Sequence, residues 1–166
     1  MRANNLIGSG NYMTRENKKG IVRLVTDKEQ GVVVTVPAGY VDLGLSSGTY
    51  WKETNESGFY NYDNAVSKFG NKLPTKEQLE ELKNECEWTW TGNGYKVTGP
   101  NGESITLPVA GYRYCNGGVS GVGSRGYYWS STPDDSDYAW GLGFYSSEVY
   151  MGNYSRCYGL SVRLVQ

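Results

Sequence analysis

Leu73-Pro74-Thr75-Lys76-Glu77-Gln78-Leu79-Glu80-Glu81-Leu82-Lys83-Asn84-Glu85-Cys86-Glu87-Trp88-Thr89-Trp90 is the stretch on which the fold turns. Thr75 stands at an N-cap position and Gln78 three residues on. This is a capping box, in which each side chain satisfies an orphan amide of the first turn. Leu79, Leu82 and Cys86 recur at i, i+3 and i+7 and share one face, while Glu80, Glu81, Lys83 and Glu85 face water. At Trp88-Thr89-Trp90 the period changes from 3.6 to 2, the mark of a strand. Upstream, Phe59, Tyr60, Ala65, Val66 and Phe69 follow a looser helical spacing that stops at Gly70, a glycine C-cap. Downstream, residues 95–98 and 104–109 flank Gly99-Pro100-Asn101-Gly102 as a hairpin. Trp140, Leu142 and Phe144 alternate as one inward strand face. Val149 with Met151, and Leu160 with Val162 and Leu164, form two more. Helices early and strands late predict an α+β domain.

At 166 residues the chain is one domain's worth. Its 16 Lys and Arg against 17 Asp and Glu leave a net charge of −1, too little field to hold a nucleic-acid backbone or an anionic membrane. Histidine is absent, which removes the commonest general base and a leading zinc ligand. The 23 glycines are about twice the usual ~7% and predict many turns and irregular loops, with residues 116–126 as a long excursion. Residues 1–20 read as a polar lead-in. The β-branched runs 21–25 and 31–36 read as a two-stranded ribbon, which is marginal alone and needs something to pack on. We therefore expect an N-terminal arm and ribbon over 1–37, a candidate assembly element, and a main domain over 38–166. No apolar run reaches the length of a membrane span or a signal-peptide core. Cys86, Cys115 and Cys157 are odd in number and lack C-x-x-C spacing. One bridge plus one buried thiol and three buried thiols are equally compatible with that pattern.

Nine of the 15 tyrosines lie from Tyr112 onward, interleaved with Ser, Gly, Asn and Asp. Tyrosine supplies rigid amphipathic contact area, and the small polar residues adapt their hydrogen bonds, as in an antibody paratope. The same composition also serves a Gly/Tyr-rich β domain as half-buried filler. Asp134-Asp135-Ser136-Asp137 lacks the ligand spacing of a cation loop and reads as a solvated turn. The Gly117–Gly126 stretch has no Lys-Ser/Thr sequel for phosphate. Arg163, among apolar neighbours, reads as a paired framework residue.

Several ordered motifs carry a family resemblance: Val41-Asp42-Leu43-Gly44-Leu45-Ser46-Ser47-Gly48, Leu73–Leu82, Leu107-Pro108-Val109-Ala110-Gly111-Tyr112-Arg113, Gly126-Tyr127-Tyr128-Trp129-Ser130-Ser131-Thr132 with Tyr138-Ala139-Trp140, and Gly159-Leu160-Ser161-Val162-Arg163-Leu164-Val165. Together they resemble the Fibrobacter succinogenes major paralogous domain, which is similar to the formylglycine-generating-enzyme branch of the C-type lectin fold. The resemblance implies a C-type lectin-like domain over about residues 38–166, with two short helices around a small twisted antiparallel core and long Gly/Tyr-rich loops. The C-terminal third also resembles the variable region of proteins diversified by retroelements. In such proteins a fixed frame, here Trp129, Ser130, Ala139, Trp140, Leu142, Phe144, Gly159, Val162 and Arg163, carries exchangeable binding positions. Those positions would be Asp135, Asp137, Tyr138, Tyr145, Glu148, Tyr150, Asn153, Tyr154 and Tyr158.

The resemblance implies a non-enzymatic ligand-binding protein for adhesion or receptor recognition, without catalytic residues, metal or cofactor. Its partner would be a protein or glycan on a cell or host surface, and its place the cell exterior, the cell surface or a phage virion. A homo-oligomer through the N-terminal ribbon is compatible with this. Tyr145, Tyr150 and Tyr154 would form one exposed patch, with residues 152–155 as a loop on its rim. Two alternatives come from other classes: a sulfatase-modifying enzyme, and a structural pilus-tip or tail-fibre subunit. The enzyme branch uses closely spaced redox cysteines near its C-terminus, where this chain has only Cys157, with Cys115 far off in sequence. The calcium-lectin motifs Glu-Pro-Asn and Trp-Asn-Asp are absent.

Overall fold

The computed structural model describes residues 15–17, 20–22 and 35–166. The chain divides into two compact units, Met1–Ala38 and Gly39–Gln166. In the first, strand β1 (Arg15–Asn17) pairs antiparallel with β2 (Gly20–Val22), Arg15 opposite Val22. Part of the expected polar lead-in is thus a strand. Most of the ribbon expected over 21–25 and 31–36 lies outside the described residues.

The second unit holds β3 (Tyr40–Asp42), β4 (Tyr50–Lys52), α1 (Tyr62–Phe69), a 3-10 turn (Gly70–Lys72), α2 (Lys76–Glu85), β5 (Glu87–Trp90), β6 (Gly94–Thr98) and β7 (Ser104–Pro108). It continues with β8 (Tyr112–Arg113), β9 (Val119–Ser120), β10 (Gly126–Pro133), β11 (Tyr138–Tyr145) and β12 (Glu148–Ser155). The α2 capping box is formed: Thr75 Oγ1 accepts from Gln78 N–H at 3.2 Å and Gln78 Oε1 from Thr75 N–H at 2.9 Å. Asn61 caps α1, and Gly70 ends it at φ +53°.

The α+β, C-type lectin-like expectation is corrected here. Strand makes up 42% of the structure and helix 16%, so the protein is mostly β. The strands do not share one small core sheet. They form separate antiparallel sheets, β3-β4, β5-β6-β7, β8-β9 and β10-β11-β12, and no closed barrel exists among the described residues. Two segments expected as loops are strands: Val119–Ser120 pairs with β8, and 152–155 complete β12. Conversely, the last strand expected over 160–164 is part of an extended segment, 159–165, tied by single bridges to Trp51, Tyr60, Arg113 and Tyr128. The physical reason is that Gly and Asn, which fill or flank both segments, argue against strand by themselves. Their ladder is decided by the neighbouring strand.

The β10-β11-β12 sheet is covered on both faces. On one side Tyr128, Leu142 and Phe144 pack with Leu79 and Leu82 of α2 and with Val97 and Leu107 of the β5-β6-β7 sheet. On the other, Tyr127, Trp129 and Ala139 pack with Tyr62 and Ala65 of α1 and with Leu160 and Val162. Trp140, expected in the core, is half-buried at the sheet's end, with the Lys76 ammonium 3.7 Å above its ring.

Residues 159–166 stitch the unit together. Trp129 N–H donates to Ser161 O at 3.1 Å and Ser161 N–H to Tyr127 O at 2.9 Å, while Tyr50 and Gln166 exchange backbone bonds. Arg163, 2% exposed, donates to Asn55 Oδ1, Lys52 O, Glu53 O and Thr106 O at 2.6–3.0 Å. Burial pulls its pKa down to about 10, so it remains a cation at neutral pH.

Candidate functional site

Register places the tyrosines. In the β11–β12 ladder Tyr145 stands opposite Glu148, Gly143 opposite Tyr150, Gly141 opposite Gly152 and Ala139 opposite Tyr154. In the β10–β11 ladder Tyr127 faces Gly143 and Trp129 faces Gly141. Directly opposed residues share a sheet face. Tyr127, Trp129, Tyr145, Tyr150 and Tyr154 therefore all rise from one face, over a floor of three glycines, Gly141, Gly143 and Gly152. A Cβ at Gly143 would collide with the Tyr154 hydroxyl and the Tyr150 ring, and one at Gly141 would press on the Tyr154 ring. Gly143→Ala is accordingly expected to destabilise by ~1–3 kcal/mol, the scale of overpacking, in a urea melt. An unchanged midpoint would contradict this packing.

Above that floor lies a cavity of about 140 Å³ walled by Tyr112, Tyr127, Tyr150, Tyr154, Tyr158 and Leu160. Its rings meet edge to face: Tyr112 with Tyr127 at 5.2 Å and 84°, and Tyr127 with Tyr154 at 5.2 Å and 72°. Such contacts lock the walls, since offset and T-shaped aromatic pairs add ~0.5–1.5 kcal/mol beyond area burial. The Tyr154 hydroxyl is fully buried and has no hydrogen-bond partner. The Tyr150 hydroxyl lies near enough to bear on its ionisation, at a geometry poorer than an ordinary hydrogen bond. Burial, then the neighbouring Tyr150 and Tyr127, pushes the Tyr154 pKa far up, and burial first of all takes Tyr150 up to about 12. Both phenols are neutral at physiological pH. Arg125, exposed, donates to the Tyr127 hydroxyl at 3.3 Å.

Outside the cavity the Tyr112 hydroxyl donates to that of Tyr114 at 2.8 Å. This bond raises the Tyr112 pKa and lowers that of Tyr114. Next to Tyr114 and Tyr158 in the chain, Cys115 and Cys157 form a disulfide with Cα atoms 5.1 Å apart. Arg113 and Gly159 exchange backbone bonds beside it at 2.8 and 2.9 Å. Cys86 stays a free thiol, pushed up to about 11 by burial and then by Glu85 and Glu81.

The nine sequence-selected residues separate into two groups. Tyr145, Glu148, Tyr150, Tyr154 and Tyr158 lie on or beside the tyrosine face. Tyr145 donates to Glu148 Oε2 at 2.5 Å, which raises the Tyr145 pKa. Asp135, Asp137, Tyr138 and Asn153 lie elsewhere. Asp135 Oδ1 accepts the amides of Asp137 and Tyr138 at 2.7 and 2.8 Å, forming the β10–β11 turn. Asn153, opposite Trp140, belongs to the other sheet face and donates to Asp134 Oδ2 at 2.7 Å. Tyr154, placed on an exposed rim by sequence, is instead largely buried against Tyr127 and Trp129. Tyr112, Tyr127 and Leu160 line the cavity without having been selected. The concentration of tyrosines from Tyr112 onward is the signal that points to the two tyrosines.

A family model described as a domain of unknown function, DUF8237, matches residues 74–165. The chain belongs to the DUF8237 family. The matched region of this DUF8237 protein contains every residue that lines the cavity, and also the Cys115–Cys157 bridge. Comparison with curated proteins and with solved structures gave no match.

Proposed function

We propose that this DUF8237 protein is a non-enzymatic ligand-binding module whose recognition surface is the tyrosine face of the β10-β11-β12 sheet. One observation carries the reading: five tyrosines wall a cavity in which a buried hydroxyl, that of Tyr154, lacks a well-formed hydrogen bond. A buried polar group left unpaired costs ~1–3 kcal/mol, which a ligand's hydrogen-bonding group would recover on entering. The cavity is comparable in size to an engineered cavity of ~150 Å³ that holds a benzene ring, so it admits one ring-sized group. The likeness of the chain to the Fibrobacter succinogenes domain and to retroelement-diversified proteins supports the same reading. The partner is then a protein or glycan on a cell or host surface. The Cys115–Cys157 bridge supports a site of action in an oxidising environment outside the cell.

The test is a binding screen of the full chain against immobilised glycans and surface proteins, repeated with Tyr112→Ala/Tyr158→Ala. Both residues are half-exposed, and circular dichroism checks that the variant folds. Hot-spot tyrosines contribute at least ~2 kcal/mol, so affinity for any ligand found should fall about 30-fold. A ligand bound equally well by the variant would overturn the proposal. So would conversion of a cysteine-containing sulfatase peptide by the wild-type chain.

A further inference from the structure

β12 is an edge strand, since its sheet runs β10-β11-β12. It pairs with β11 along all eight residues without a bulge. Along its outer side, no backbone group of the described residues bonds to residues 148–154. The opposite edge of the same sheet is occupied, because β10 exchanges bonds with Ser161. Edge strands are ordinarily blunted by proline, lysine, a bulge or short length, because an open ladder is a template for another chain. Glu148-Val149-Tyr150-Met151-Gly152-Asn153-Tyr154-Ser155 has none of these devices, and its one charge stands at its start.

We infer that β12 pairs antiparallel with the β12 of a second copy of this chain, joining two three-stranded sheets into one of six strands about a twofold axis at Gly152. Register argues for this axis. In an antiparallel pair that keeps like faces on the same side, even-numbered residues must oppose even-numbered ones, because side chains alternate with period 2. An axis at Gly152 sets Gly152 against its own copy. It sets Tyr150 opposite the partner's Tyr154, and Glu148 opposite the partner's Arg156. The twofold repeats each of these, so the ladder has two aromatic cross-strand pairs and an opposite-charge pair at either end, the pairings that stabilise antiparallel sheets. Registers centred on Met151 or Asn153 instead set Glu148 opposite the partner's Tyr154 or the partner's Tyr158, and the charge complementarity is lost.

Both groups would exchange contacts within the subunit for a pair across the axis: Glu148 accepts from Tyr145, and the Arg156 guanidinium lies 4.8 Å from the Tyr62 ring. Glu148 is exposed. The Arg156 side chain is 26% exposed, and its Nη1 is 3.9 Å from Asp63 Oδ1, while Nε and Nη2 hold the carbonyls of Tyr138 and Asp135. An isologous interface of this kind closes on itself as a dimer and does not propagate into a fibre. It does not depend on the ligand reading. It would, however, set two tyrosine faces side by side on one continuous sheet, which favours a multivalent partner.

Sedimentation velocity on the full chain over a wide concentration range tests the inference. Wild type should show a concentration-dependent monomer–dimer equilibrium. Glu148→Arg, at an exposed position, should raise the dimer dissociation constant at least ~10-fold by opposing two arginines. Glu148→Arg with Arg156→Glu should restore association. Because Arg156→Glu also removes the bonds to the Asp135 and Tyr138 carbonyls, amide hydrogen exchange on wild type gives an independent reading. The amides of residues 149–153 should become more protected as concentration rises. A monomer at every concentration would overturn the inference. So would a dimer that is indifferent to Glu148→Arg and whose residues 149–153 exchange as fast as in the monomer, since its interface then lies elsewhere.

Discussion

Replacing Arg163 with methionine is expected to lower the unfolding free energy by about 3–5 kcal/mol, the scale of removing a buried charged partner. The side chain reaches Asn55, Lys52, Glu53 and Thr106, and so ties the segment after β4 and the β7 strand to the C-terminal segment. Methionine matches much of its volume but takes the donor from four part-buried acceptors, and each acceptor left dry costs up to ~1–3 kcal/mol before relaxation. Lysine should recover only part of the loss. Its ammonium is a point donor and cannot span the guanidinium's fork. Urea denaturation of Arg163→Met and Arg163→Lys measures both. A loss under ~1 kcal/mol in Arg163→Met would show that burying the cation costs as much as its four bonds return.

Tyr154 gives the second large effect, with opposite outcomes for two substitutions. Tyr154→Ala removes a ring packed between Tyr127 and Trp129 and should cost ~3–5 kcal/mol, as for other buried aromatic truncations. Tyr154→Phe keeps the ring and deletes a buried hydroxyl without a well-formed hydrogen bond, so it should be neutral or stabilising by up to ~1 kcal/mol. Tyr138→Ala, at an exposed position, should stay within ~0.5 kcal/mol. If Tyr154→Ala proved as mild as Tyr138→Ala, Tyr154 would belong to an exposed rim after all.

Tyr154 and Tyr150, with Tyr128 on the opposite face of the sheet, set an alkaline limit on stability. Burial holds the pKa of Tyr128 and Tyr150 up to about 12 and raises that of Tyr154. Above pH 10, the ordinary value, these tyrosines ionise in the unfolded chain while the folded chain keeps their protons. The folded state then binds more protons, and stability falls as pH rises. A stability–pH profile should therefore be level with respect to these groups up to about pH 9 and fall between about 10 and 12. Tyr154→Phe should shallow that fall, and an unchanged slope would remove Tyr154 from its cause.

The amino-acid sequence by itself determined what depends on neighbours a few residues away. Thr75 and Gln78 specify the start of α2, Gly70 ends α1, and the alternation of Leu142 with Phe144 and of Val149 with Met151 picks the sheet face that meets α2. The isolation of Arg163 among apolar residues likewise marked it as a framework group. Tertiary structure alone decided which tyrosines stand open and which are buried. Tyr145, Tyr150 and Tyr154 look alike in composition. Yet the β11–β12 register sets Tyr150 opposite Gly143 and Tyr154 opposite Ala139, next to Gly141, and only a small residue there lets a ring lie flat on the sheet. That register also sends Asn153 to the opposite face, away from the residues grouped with it by proximity in the chain. The Cys115–Cys157 pairing and the dispersal of the strands into several small sheets are of the same kind. Each follows from contacts between segments distant in sequence, and local propensity carries no record of those contacts.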